Sequence, residues 1–86
     1  MVKALRFAVS AFRHNLTEED FFECFEDEKQ LRMKSRKRSY VLLASNGQGE
    51  ILHIAFRLSE DQENIYVFHG RPATLSEKRR YRFRGK

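Results

Sequence analysis

Hydrophobic and polar positions alternate weakly between Lys3 and Val9, with Leu5, Phe7 and Val9 on one side, which predicts a short first strand. The period then changes. Phe21, Cys24 and Phe25 recur at helical spacing, with Phe22 at the margin of the stripe, and predict a helix that runs to about Asp27. Thr17 marks its start: the hydroxyl can accept the Asp20 N–H while the Asp20 carboxylate reaches back to the Thr17 N–H, a capping box. Leu16 and Phe21 stand where a hydrophobic staple packs, and Glu18, Glu19 and Asp20 suit the positive end of the helix dipole.

From Lys29 to Arg38 only Leu31 and Met33 are apolar, at a spacing of two, as in a short edge strand with its charges in water. Tyr40 to Ala44 is continuously apolar, and Asn46-Gly47-Gln48-Gly49 follows as a turn because Asn and Gly tolerate positive φ. Ile51 to Leu58, a polar loop Ser59 to Asn64, and Ile65 to His69 complete the meander. Gly70-Arg71-Pro72-Ala73 is expected to end the sheet, since Pro72 has no N–H for a ladder. Thr74 and Glu77 form a second capping box, so a basic helix should run from Leu75 to roughly Arg82. The expected fold class is α+β: an antiparallel sheet of three to four strands, a helix in the N-terminal half and a basic C-terminal helix. No repeat, linker or low-complexity tract interrupts it, and residues 1–86 read as one domain.

A five-residue loop Ser59 to Glu63 would pair Leu58 with Asn64, Ala55 with Val67 and His53 with His69. His53, Arg57, His69 and Arg71 would then share one face. Leu52, Ile54 and Phe56 would share the other with Val41, Leu43, Tyr66 and Phe68, under the Phe-rich helix.

Composition sharpens this picture. A domain of 86 residues buries only about 60% of the surface its unfolded chain exposes, so eight Phe and three Tyr compensate for a thin core. The net charge of +5 and the pI near 9.7 favour an anionic partner, nucleic acid or an acidic protein segment. The charge is segregated: Glu18, Glu19, Asp20, Glu23, Glu26, Asp27 and Glu28 cluster together, whereas bases gather in Lys29 to Arg38 and in Lys78 to Lys86. One cysteine excludes an internal disulfide and a thiolate zinc cluster, which suits a reducing cytoplasm. The Met1 to Ala11 stretch lacks the apolar run of a signal peptide, and no run of about 20 apolar residues suggests a membrane span. A soluble cytoplasmic protein is expected.

The run Gly70-Arg71-Pro72-Ala73-Thr74-Leu75-Ser76-Glu77-Lys78-Arg79-Arg80-Tyr81 resembles the closing motif of BrnT toxins: a strand ending in Ala-Arg-x-Ala-Thr, then a helix with Glu and Tyr four apart. Arg71, Ala73, Thr74, Glu77 and Tyr81 match it. Arg13-His14-Asn15-Leu16-Thr17-Glu18-Glu19 is similar to the family's Lys-His-Gly, apolar residue and capped helix, with Arg13 and Asn15 in place of Lys and Gly. The family's first helix before that motif is shortened or missing. The likeness spans about Phe12 to Arg82. It implies a RelE-like fold and an endoribonuclease toxin of a type II toxin–antitoxin system that cleaves RNA to stop translation. It also implies neutralisation by a BrnA-like ribbon-helix-helix antitoxin, through which alone the toxin would meet DNA.

Cleavage of RNA by its own 2′-OH requires a base, charge stabilisation on the phosphate and an acid for the leaving 5′-oxygen. Arg71 is the first candidate for the phosphate, because a guanidinium binds phosphate oxygens bidentately and stays charged. It could instead pair structurally with Glu77 or with an acid of the first helix. His53 and His69, with Arg57 on the same face, could divide base and acid duties, or they could be a half-buried cross-strand pair without catalytic duty. Arg13, with His14, reads equally as a contact to the phosphate or the transition state and as a solvated loop charge next to Glu18. Lys78, Arg79, Arg80 and Arg82, followed by Phe83 and Arg84, form a basic surface that can hold an RNA backbone or an acidic antitoxin tail. Cys24 belongs to the core stripe, and nothing resembles a phosphate loop, a dinucleotide turn or a metal-ligand set. No cofactor and no metal is expected. A non-catalytic RNA-binding or partner-binding module would show the same charges.

Overall fold

The computed structural model describes residues 4–83. They form an α+β domain in the order β1 (Ala4–Phe7), α1 (Glu18–Glu26), β2 (Leu31–Arg36), β3 (Ser39–Ser45), β4 (Ile51–Leu58), β5 (Asn64–Pro72) and α2 (Leu75–Arg82), with a 3₁₀ turn at Val9–Phe12. The strand order is β1-β5-β4-β3-β2. The sheet therefore has five strands rather than three to four, and it is mixed: β2 to β5 form the antiparallel meander, whereas β1 lies parallel to β5. Lys3, expected in the first strand, and Arg84, expected in the basic tail, lie outside the described residues. No helix among the described residues is long and apolar enough to cross a membrane.

Both helices begin where their caps predicted. Thr17 accepts the Asp20 N–H while Asp20 accepts the Thr17 N–H, and Thr74 and Glu77 repeat the arrangement. These local bonds satisfy amide groups that have no partner inside the helix, so the start is written in the cap residues themselves. Within the turn after β3, Asn46 works through its side chain, its Oδ1 accepting the N–H of Gln48 and of Glu50; the positive φ falls on Gly49.

The face that α1 covers differs from expectation in phase. Tyr40, Leu42 and Ala44 oppose Phe56, Ile54 and Leu52, and together with Ile65 and Val67 they pack beneath Phe21 and Cys24. Val41 and Leu43 instead oppose Ala55 and His53, and Tyr66 opposes Arg57, all on the other face. A continuous apolar run carries no alternation to fix its phase. Tyr40 stacked on Phe56 at 5.4 Å accompanies the observed choice. Leu43 is still fully buried, because a second small core of Leu43, Ile51, Ala73 and Tyr81 fills the opposite face under α2. The two layers are tied at Asp27, whose carboxylate accepts both the Ser45 N–H at 2.9 Å and the Tyr81 hydroxyl at 2.6 Å.

The β4–β5 register also corrects the expectation. Leu58 pairs with Ile65 rather than Asn64, Phe56 rather than Ala55 pairs with Val67, and beyond a bulge at Phe68 His53 pairs with Arg71 rather than His69. The loop holds one residue more than expected, closed by Ser59, whose N–H donates to the Asn64 carbonyl and whose Oγ accepts the Asn64 N–H. The bulge adds a second residue. Two single-residue offsets restore the alternation, so His53, His69 and Arg71 still share one face. Gly70, Arg71 and Pro72 continue β5 instead of ending it. Pro72 is tolerated as the last residue of the strand, and Ala73 donates the next bond, to the Ile51 carbonyl.

Gly70 lies under α1 where a Cβ would stand 2.6 Å from the Phe21 ring and 3.0 Å from Leu16. Phe21 is fully buried and cannot move into solvent. Gly70→Ala is expected to lower unfolding free energy by roughly 1–3 kcal/mol, the usual range for an overpacked core. Urea denaturation should show a lower midpoint with an unchanged slope.

Candidate functional site

β4 and β5 carry His53 and Arg71 as direct neighbours, and α2 brings Glu77 over both. The Glu77 carboxylate accepts four hydrogen bonds. Its Oε1 accepts the Thr74 N–H and Arg71 Nη1, each at 2.9 Å; its Oε2 accepts Arg71 Nη2 at 3.0 Å and His53 Nδ1 at 2.8 Å. The Arg71 guanidinium beside it, before all else, holds Glu77 far below the usual carboxylate range, at about 2, with the Thr74 N–H and His53 adding to the effect against desolvation. Glu77 is thus an acceptor only.

This fixes the histidine. Since Glu77 cannot donate, the hydrogen between it and His53 sits on Nδ1. Arg71 Nη2 lies 3.2 Å from the same Nδ1, but two donors face each other there, so that approach is a packing contact and not a hydrogen bond. In the neutral ring Nε2 is left with its lone pair and no proton. A carboxylate orienting one imidazole nitrogen so that the other can accept a proton is a recurrent way to build a general base.

His69 stands beside His53 with ring centroids 6.2 Å apart and planes at 76°, and His14 continues the row at 6.1 Å and 87°. Burial pushes the His69 imidazole below its ordinary 6.5, and electrostatic repulsion from His53, Arg71, His14 and Arg13 adds to this. The arrangement depends on the β5 bulge. β1 stops at Phe7 opposite Val67, and the chain then follows the edge of β5 as the 3₁₀ turn, held by Ala8 N–H on the Val67 carbonyl and Ser10 Oγ on the Phe68 carbonyl. That docking delivers Arg13 and His14 to His69. Asn15 follows with φ of 62°, the left-handed conformation that Asn adopts more easily than most residues.

The structure thus brings together Arg71, His53 and His69, with Arg13 close enough for its charge to act on His69. It does not bring Arg57 to them. Arg57 lies four residues along β4 from His53, about 13 Å for an extended strand, opposite Tyr66 and Ser39. Arg79, Arg80 and Arg82 are exposed on α2, and Lys78 is half-buried. The Arg71–Glu77 ion pair weighed from the sequence is present and bidentate. Two partners were missed: Glu77 as the ligand of His53, and His14 as a neighbour of His69. Glu77 was legible as a cap, but a carboxylate has lone pairs beyond those a cap uses. Cys24 is fully buried and its Sγ contacts the Ala44 carbonyl at 3.7 Å; burial, reinforced by surrounding carboxylates, pushes its thiol up to about 12, which removes it as a nucleophile.

A carboxyl whose folded-state value is depressed contributes stability that is present above its unfolded value and lost as pH falls through the folded one. For Glu77 that window runs from about 4.5 down to about 2. Denaturant midpoints measured across this range should fall less steeply for Glu77→Gln than for the native protein, and the native protein should exceed the variant most at the upper end. No family model matches the chain, and no curated protein matches it.

Proposed function

We propose that the protein is an endoribonuclease toxin of the BrnT kind, with a RelE-like fold, and that the face carrying His53, His69 and Arg71 is its active centre. The observation that carries the reading is the single carboxylate of Glu77, which holds a guanidinium and a tautomerically fixed imidazole side by side. His53 Nε2 takes the proton of an RNA 2′-hydroxyl, and the 2′-oxygen attacks the adjoining phosphorus. The bond to the 5′-oxygen breaks, that oxygen takes a proton from the neighbouring imidazolium of His69, which becomes neutral imidazole, and a 2′,3′-cyclic phosphate and a 5′-hydroxyl result. An imidazolium whose value is pushed down gives up its proton readily, at the expense of being less populated at neutral pH. Arg71 and Arg13 offset the charge that develops on the phosphate.

The family resemblance adds support at two places. The matched residues Arg71, Thr74 and Glu77 are the ones that meet in this cluster, while Tyr81 anchors α2 to Asp27. Asn15 stands where the family motif has Gly, and it has the backbone conformation for which Gly is the default. The same reading assigns RNA as substrate and a BrnA-like ribbon-helix-helix antitoxin as partner, with Arg79, Arg80 and Arg82 available to either. One observation favours a second reading, a non-catalytic RNA-binding or partner-binding module of the same fold: both terminal nitrogens of Arg71 are already engaged by Glu77, so the ion pair could serve the fold alone.

Inducible expression of the chain alone in bacteria separates the two. Growth should stop and mapped transcripts should acquire new ends within minutes, whereas Arg71→Ala and His53→Ala should each reduce cleavage at least 100-fold, the lower end of what positioned acid–base catalysis contributes. Cells that grow normally with transcripts intact would exclude the toxin reading.

A further inference from the structure

The strand register lines up a row of side chains across all five strands. Arg6 pairs with Tyr66, Tyr66 with Arg57, Arg57 with Ser39, and Ser39 with Arg36, so Arg6, Tyr66, Arg57, Ser39 and Arg36 stand on one face in a line that crosses β1, β5, β4, β3 and β2. With neighbouring strands about 4.8 Å apart the row is about 19 Å long. It is the face that also bears His53, His69 and Arg71. Arg6, Arg36 and Arg57 are exposed, and Tyr66 keeps 45% of its surface open.

Arg57 separates two recesses. One, of about 340 Å³, is lined by Arg36, Lys37, Arg38, Ser39 and Arg57; the other, of about 330 Å³, is lined by Arg6, Arg57 and Tyr66 among others. Among the described residues no acid pairs with Arg6, Arg36, Lys37, Arg38 or Arg57, in contrast to Arg71. Five cations without an acid paired to them among the described residues, around concave surface and with a half-exposed aromatic ring set between two guanidiniums, have the chemistry of a single-stranded nucleic-acid track: the cations follow the phosphates and the ring stacks on a base of any sequence. A duplex would present its phosphates but no base face to Tyr66.

We propose that this row is the binding track for single-stranded RNA, seating nucleotides remote from the one cut at His53 and Arg71. The proposal rests on RNA being what the protein binds, as the proposed function has it, and gives Arg57 a binding role in place of a catalytic one. The strand crosses the sheet perpendicular to β4 and β5, with phosphates on Arg6, Arg57 and the Arg36–Arg38 turn and a base on Tyr66. The chemistry takes place about 13 Å along β4 from the row.

The test uses the full chain and a uniformly 2′-O-methylated RNA strand, which cannot be cut, with affinity followed by fluorescence anisotropy across a salt series. Arg57→Gln should make the dependence of log affinity on log salt shallower by about 0.7, one released charge for a single strand, while Arg57→Lys keeps the native slope. Tyr66→Ala should weaken binding about 5-fold or more with the slope unchanged, and should have no effect on a duplex of equal length. Binding of the strand by Arg57→Gln and Tyr66→Ala as tightly as by the native protein would overturn the proposal. So would a polyglutamate chain that competes equally and a Tyr66→Ala variant that behaves as native, since the row would then be a docking surface for acidic protein. Because the probe cannot be cut, these failures leave the endoribonuclease reading standing. The predicted binding by a protein that never cuts natural RNA would sink that reading and leave the track.

Discussion

One carboxylate organises the candidate functional face. Glu77 sits in the first turn of α2, where the helix dipole and the Thr74 N–H favour its charge, and from there it reaches both Arg71 and His53 on separate strands. Burying part of a charge is tolerated only when its lone pairs are satisfied, and here four donors satisfy them. Removing it would leave a guanidinium without its counter-charge, an imidazole without a fixed tautomer and a helix without half its cap. The position of α2, the geometry of the site and its electrostatics therefore rise or fall together.

A second constraint comes from the β5 bulge at Phe68. The extra residue keeps His69 and Arg71 on the face of His53 although the preceding loop is longer than a short hairpin would need. It also accompanies the release of the Phe68 carbonyl to Ser10, which fixes the 3₁₀ turn along the strand edge and sets His14 against His69. Bulges commonly occur where a side chain must be re-aimed beside a functional site. The main core under α1 serves the same end more distantly, since Phe21 packs directly over Gly70, the residue between His69 and Arg71.

The helices and their starts were legible in the sequence because a capping box is a local bond: Thr17 with Asp20 and Thr74 with Glu77 sit three residues apart wherever the chain goes next. Strand existence was legible for the same reason of local composition. Register was not, because it is decided by contacts between distant segments. The apolar run Tyr40 to Ala44 has no alternation to choose a face, and Ser59 and Phe68 each shift the ladder by one residue in a way no short pattern encodes. β1 is legible as a strand from its alternation, but its parallel pairing with β5, which makes the sheet five-stranded, is a tertiary outcome. At the site, Arg71, His53 and His69 were found from residue type and alternation, whereas His14 and the Glu77–His53 bond needed the fold. Arg57 was placed on the right face but too near the histidines, since alternation fixes the side of a sheet and not the distance along it.

The central claim is that the histidines and arginine of this face break RNA through its own 2′-hydroxyl. The chemical ends left on an RNA oligonucleotide by the purified protein test it most directly. The account predicts a 2′,3′-cyclic phosphate on the upstream fragment and a 5′-hydroxyl on the downstream one, with no cut at a position where the 2′-hydroxyl is replaced by hydrogen. A 5′-phosphate on the downstream fragment, or equal cleavage at the 2′-deoxy position, would contradict it.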